Sequence, residues 1–241
     1  MVRAQALMET RLLLRNGEQL LLALVIPLLV LLGGQESGSL VDLGNGRRID
    51  IVTPGVLALA VVSTAFTSVA IATGFERRYG VLKRLGASPL PRGGLLAGKV
   101  GAVLLVEAGQ LAVVSLVATV LGWHPRGGAG AVLAVVVVVL TGTAAFGSLA
   151  LLMAGTLRAE ATLAAANLVY LLLLVGGGVV VPLDRYPAAV QPLLQLLPSG
   201  ALAQGLREAV TGAGLDGWSF VVLAAWATAG SLLTARTFRW E

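Results

Sequence analysis

Cysteine is absent from the 241 residues, and histidine occurs once, at His124. Without thiols there is no disulfide framework and no thiolate metal site. A single imidazole excludes a multi-histidine metal centre. Charge is also scarce: charged residues make up 12% of the chain, about half the ~25% that covers a soluble domain. Hydrophobic residues reach 57% and the mean hydropathy is +0.90. Much of the surface must therefore face lipid. The net charge of +5 would suggest nucleic acid in a soluble chain. Here the placement of the charges is more informative than their sum, and nucleic acid is not an expected partner.

What is present are apolar segments of membrane-spanning length, which requires about 20 apolar residues. Six segments are predicted to span, at 19–34, 53–75, 95–123, 129–155, 161–181 and 218–235. The first is short unless its helix begins upstream, and Pro27 should kink it. Pro182 is expected to stop the fifth. No cleavable leader is read at the N-terminus, so the first span is expected to be retained. The reading is a single all-α polytopic membrane domain over 1–241.

Orientation follows from the basic residues. With both termini in the cytoplasm, twelve of the 17 basic residues fall on inside segments and five outside. The opposite orientation would place the densest basic loop, around Arg77–Arg92, outside. The chain is expected in the plasma membrane with an even number of spans. Small residues such as Ala144 and Ser148, or Ala161 and Ala165, permit close helix approach. They fit bundle packing and a second copy alike.

The cytoplasmic loop after the second span mixes Glu76, Arg77 and Arg78 with Tyr79, Leu82 and Leu85. A helix over 77–85 would carry an apolar stripe beside the bases, with Gly86 ending it. Such a loop is either a headgroup anchor or a docking element for a cytoplasmic partner. The pattern Glu76-Arg77-Arg78-x-Gly80-x-Leu82-x-x-Leu85-x-x-Ser88-Pro89-x-x-Arg92 resembles the cytoplasmic loop of permeases of type-2 ATP-binding-cassette (ABC) transporters. Glu9-Thr10-Arg11-Leu12-Leu13-Leu14-Arg15-Asn16, followed by a proline-containing span, is similar to that family's N-terminal interfacial helix. Leu197-Pro198-Ser199, followed by Leu206-Arg207-Glu208 and Gly212, resembles its extracellular element before the last span.

The resemblance implies six spans per permease, pairing with a second permease, and a separate ATPase subunit that binds ATP and magnesium. It also implies ATPase coupling through Glu76, Arg77, Arg78, Tyr79, Leu82 and Leu85, with Arg11 and Arg15 on the interfacial helix. Re-entrant helices over 182–217, marked by Pro182, Pro198, Arg207 and Glu208, would close the outer end.

Within the spans, Glu107 and Gln110 lie one turn apart, and Asn167 sits in the fifth. A carboxylate at mid-bilayer costs about 2.5–3.5 kcal/mol, so it should face the bundle interior, water or a partner helix. Glu107 is read either as a group on the substrate path or as a helix–helix hydrogen-bonding residue. Gln110 belongs to the same candidate path, and Asn167 is expected to bond between helices. Gly93-x-x-x-x-Gly98-Lys99-Val100 lacks the hydroxyl of a P-loop and opens a membrane helix. ATP must then bind on another chain, and this chain is expected to be no enzyme and to hold no cofactor or metal.

Aromatics are only 5%, whereas a sugar-polymer conduit is expected to favour aromatic stacking faces. The expected cargo is a hydrophobic drug-like or lipid-like molecule. A heme, cytochrome-maturation or polysaccharide exporter is the alternative. An ATP-independent scaffold or secondary transporter is the alternative of another class.

Overall fold

The computed structural model describes residues 8, 10, 11, 21–36, 46–86, 92–179 and 181–238, and every regular element among them is helical. A π-helical turn, Leu21–Val25, leads into α1, Ile26–Glu36. Next come α2, Arg48–Arg78, and α3, Val81–Gly86. The helices α4, Arg92–Val120, α5, Gly128–Thr156, and α6, Ala159–Gly176, follow. Two short helices, α7, Gln191–Leu196, and α8, Pro198–Thr211, precede α9, Gly217–Thr237.

Among the described residues, five helices are long and apolar enough to cross a membrane: α2, most of α4, α5, α6 and α9. The described part of the first predicted span is a shorter apolar helix, Ala23–Gln35. At 1.5 Å per residue, the 31 residues of α2 reach about 46 Å, beyond the ~30 Å hydrocarbon core. Its charged ends, Arg48 and Arg77–Arg78, therefore project to opposite membrane surfaces.

α2 is the axis of the bundle. Every residue from 52 to 71 is buried, because α1, α4, α5, α6 and α8 all pack around it. The sequence of that stretch suits the position: small and β-branched residues recur through it, and no charged residue interrupts it. Phe66 of α2 meets Phe146 of α5 edge to face at 6.2 Å. The middle of α2, Val62–Ser68, is π-helical. α5 also packs along α9 and α8. Ser148 is buried there against Gly230, where a β-carbon would strike the Ser148 hydroxyl. Ser148 thus serves packing within the chain.

Two predicted boundaries are corrected. The fifth span ends at Gly176, not at 181, and Pro182 lies beyond it. Three consecutive glycines, Gly176 to Gly178, lose most entropy in a helix, and Gly178 takes φ +72°. The helix predicted over 77–85 does not begin at Arg77. Residues 76–78 close α2, and the chain turns at Tyr79–Gly80, with Gly80 at φ +67°. Nothing before Gly80 breaks the helix, and Arg77 and Arg78 favour its negative C-terminal end. The new helix, α3, begins at Val81 and includes Gly86 as its last residue.

Candidate functional site

The end of α2 is fastened to three other elements by three successive side chains. Glu76 accepts two hydrogen bonds from Lys99 Nζ of α4, at 2.8 and 2.9 Å. Arg77 donates to the carbonyl of Leu157 in the turn between α5 and α6. Arg78 pairs with Glu160 in the first turn of α6. One helical turn advances about 100° per residue, so adjacent residues point to different neighbours. That spacing lets a single helix end hold three partners.

Tyr79 projects from the turn, 61% exposed. Its ring stacks near Phe75, 6.1 Å between centroids, with the Arg78 guanidinium 5.8 Å from its centre. Arg84 of α3 donates back to the Tyr79 carbonyl at 2.9 Å, bracing the turn. Arg11 is helical and exposed. Arg15 and the side chains of Leu82 and Leu85 lie outside the described residues. Glu76 thus takes a closing position on α2, where its charge opposes the helix dipole and Lys99 offsets it. The ion pair of Lys99 with Glu76 depends on tertiary approach, since the two are 23 residues apart. Residues 93–99, the partial P-loop pattern, lie inside α4.

At mid-membrane Glu107 and Gln110 are both buried, 1% and 4% exposed. They serve different interfaces. Glu107 Oε2 accepts from Thr143 Oγ1 of α5 at 2.6 Å, and its Oε1 has no partner among the described residues. Gln110 accepts from Thr64 of α2 at 2.6 Å and donates to the Ala23 carbonyl. That carbonyl has a specific need. Its α-helical donor would be the N–H of residue 27, and Pro27 has none. Gln110 thus ties both π-helical segments, one through Ala23 and the other through Thr64. Asn167 stands apart on α6, which packs mainly on α2. Its Oδ1 has no partner among the described residues, so the expected interhelical bond to that atom is not made there.

The Glu107–Thr143 hydrogen bond bridges α4 and α5 between two apolar clefts. On the Lys99 side lies a pocket of about 330 Å³ lined by Val103, Leu104, Leu140 and Thr143, among others. On the other side lies a groove of about 640 Å³ lined by residues including Ala112, Leu116, Val132 and Val136. Glu107 itself lines neither; Thr143 stands between it and the first pocket.

At the far end, the segment 182–217 folds as a short 3-10 turn, Leu183–Arg185, then α7 and α8. Pro182 precedes the turn, and Pro198 starts α8, where its missing N–H costs nothing. Arg207 donates to the carbonyls of Gly178 and Val179, at 3.1 and 2.8 Å, pinning the chain that leaves α6. Burial pushes its guanidinium down to about 10, with Asp184 and Tyr186 opposing that shift, so it stays cationic at neutral pH. Glu208 accepts from Gln204 one turn away, at 2.9 Å, rather than pairing with Arg207. Gly55 of α2 admits this cap, since a β-carbon there would collide with the Val179 carbonyl. Gly55 was not singled out by sequence, because nothing local distinguishes it from any other glycine in a span.

A family model described as ABC-2 type transporter matches residues 6–210. No curated relative matches the chain.

Proposed function

Because the chain belongs to the ABC-2 type transporter family, and is thereby the membrane-spanning permease component of a transporter that works with an ATPase subunit, we propose that it exports a hydrophobic drug-like or lipid-like substrate. In this reading a separate subunit binds ATP with magnesium and hydrolyses it, and a second permease completes the path. The observation that carries it is the triple fastening of residues 76–78. A push on α3 or Tyr79 would reach α4, the α5–α6 turn and α6 together. The apolar pocket on the Lys99 side of Glu107–Thr143 supports an apolar cargo, and the scarcity of aromatics disfavours a sugar polymer. Differential affinity of the ATPase for two permease states would supply the drive.

The test is co-reconstitution of the permease with a separately purified candidate ATPase subunit, measuring ATP-dependent movement of hydrophobic cationic and neutral dyes. Movement that needs no ATPase would overturn the proposal in favour of a secondary transporter. Glu107→Gln keeps the shape of the bridge to Thr143. If Glu107 acts on the path, this variant lowers cationic-dye movement selectively. An unchanged preference with intact folding leaves Glu107 as a packing residue.

Orientation is tested separately. The ion-pair cluster at 76–78 occupies one end of the bundle, and Arg47, Trp123 and Thr211 the other. We place the basic end in the cytoplasm. Arg84 is exposed and the native chain has no cysteine. Arg84→Cys should resist an impermeant maleimide in intact cells and react once the membrane is opened. Labelling in intact cells would reverse the assignment.

A further inference from the structure

The groove between α4 and α5, on the side of Glu107 away from Lys99, continues into a polar head. Trp123 and Arg126 line both the groove and an adjoining pocket of about 330 Å³. That pocket also holds Arg47, Asp50 and His124. The groove walls are lipid-facing: Leu116 and Val132 are 65% and 64% exposed. Its head lies where α4 ends and the chain turns, so it sits at the membrane surface, the level at which tryptophan is enriched.

The donors at the head are only partly used. Arg47 gives one N–H to the Gly122 carbonyl at 2.5 Å, and a guanidinium carries five. Arg126 makes no side-chain hydrogen bond or ion pair among the described residues, and is exposed. Its backbone N–H is held by the Val210 carbonyl at 2.8 Å, which fixes where the side chain starts. His124 Nδ1 lies 2.8 Å from the Gly122 carbonyl, leaving Nε2. Two guanidiniums, Arg47 and Arg126, against the one Asp50 carboxylate leave one positive charge among these three groups.

We infer that groove and head form one binding site for a phospholipid carrying a single net negative charge. One acyl chain lies between α4 and α5 against Leu116 and Val132, and the phosphate meets Arg126 and Arg47. The charge left at the head selects an anionic lipid over a zwitterionic one. A chain-length apolar groove ending in cations at the membrane surface fits an amphiphile, whereas a free anion would use only the head. The site faces the bilayer from one subunit and does not depend on which cargo is exported.

The probe is a bimane fluorophore on Val132→Cys, with the full chain in vesicles of phosphatidylcholine. Brominated-chain phosphatidylglycerol or brominated-chain phosphatidylcholine is added at equal mole fraction. Quenching by the anionic lipid should show an apparent preference of about fivefold, the attraction that one basic residue provides at a membrane surface. Arg126→Gln should abolish that preference while leaving quenching by phosphatidylcholine unchanged, which also reports an intact fold. Arg126→Lys should retain most of it. Equal quenching by both lipids, or a preference unchanged in Arg126→Gln, would reduce the groove to ordinary annular contact and overturn the inference. Disulfide-linked dimers of the unlabelled Val132→Cys chain in membranes would assign the groove to a second copy and overturn it equally.

Discussion

Exchanging the charges of Glu76 and Lys99 together is expected to restore what either single reversal destroys. The pair is about one-fifth exposed, 19% and 18% by side chain. Glu76→Lys would set two ammonium groups against each other where a carboxylate now accepts two hydrogen bonds. The cost is about 2 kcal/mol, between the limits for exposed and buried pairs. Because the pair joins the ends of α2 and α4, the loss should fall on transmission more than on insertion of the spans. ATPase binding and coupled transport should drop about tenfold or more, with the permease still inserted. Glu76→Lys with Lys99→Glu rebuilds the pair with its polarity reversed. Recovery of most activity would show that the bond within the permease is what matters. If the double variant stays as inactive as Glu76→Lys, Glu76 acts instead on a basic residue of the ATPase. If Glu76→Lys alone binds, hydrolyses and transports as well as wild type, the end of α2 has no part in coupling.

Gln110→Leu is expected to be the most destabilising of the conservative-volume changes in the spans. The glutamine satisfies the Ala23 carbonyl and takes the Thr64 hydroxyl, 87 and 46 residues away in sequence. Leucine fills similar space but leaves both groups without that partner. Each orphaned buried group costs about 1–3 kcal/mol, so the two together cost about 2–6 kcal/mol. The permease should show a lowered midpoint in thermal unfolding in detergent. Pro27→Ala returns a backbone N–H to the position that would bond Ala23 in an α-helix, and so should recover about 1 kcal/mol in the Gln110→Leu background. In the wild-type background it should gain little, since Gln110 already serves that carbonyl. Additive effects across this double-mutant cycle would dissolve the proposed link between the two residues. A role for Gln110 on a substrate path predicts the reverse: normal stability with altered cargo preference.

Much of the architecture was legible in the sequence. Apolar runs of spanning length, the weak first span and short helices before α9 all appear, although the fifth span ends at Gly176, short of Pro182. The family resemblance through residues 76–92 and 197–212 agrees with the match over 6–210. The burial of Glu107 is one of the outcomes expected for it, beside a water-filled cavity or a partner helix, because a polar group facing hydrocarbon is too costly. Partners were another matter. Glu76, in the coupling set that the resemblance implies, closes α2 and is tied inward to Lys99. Gln110 was grouped with Glu107 and instead joins α1 to α2. Gly55 gave no signal at all.

The chain by itself determined how many segments are apolar enough for the membrane and which ends are charged. Those properties belong to each residue's transfer from water and add along the chain. Tertiary structure alone decided which carbonyl meets Gln110, which charge meets Glu76 and why Gly55 cannot carry a side chain. Each of these depends on the distance between groups far apart in sequence, and a hydrogen bond or a steric collision is settled within a few tenths of an ångström. No sum over neighbouring residues carries that information.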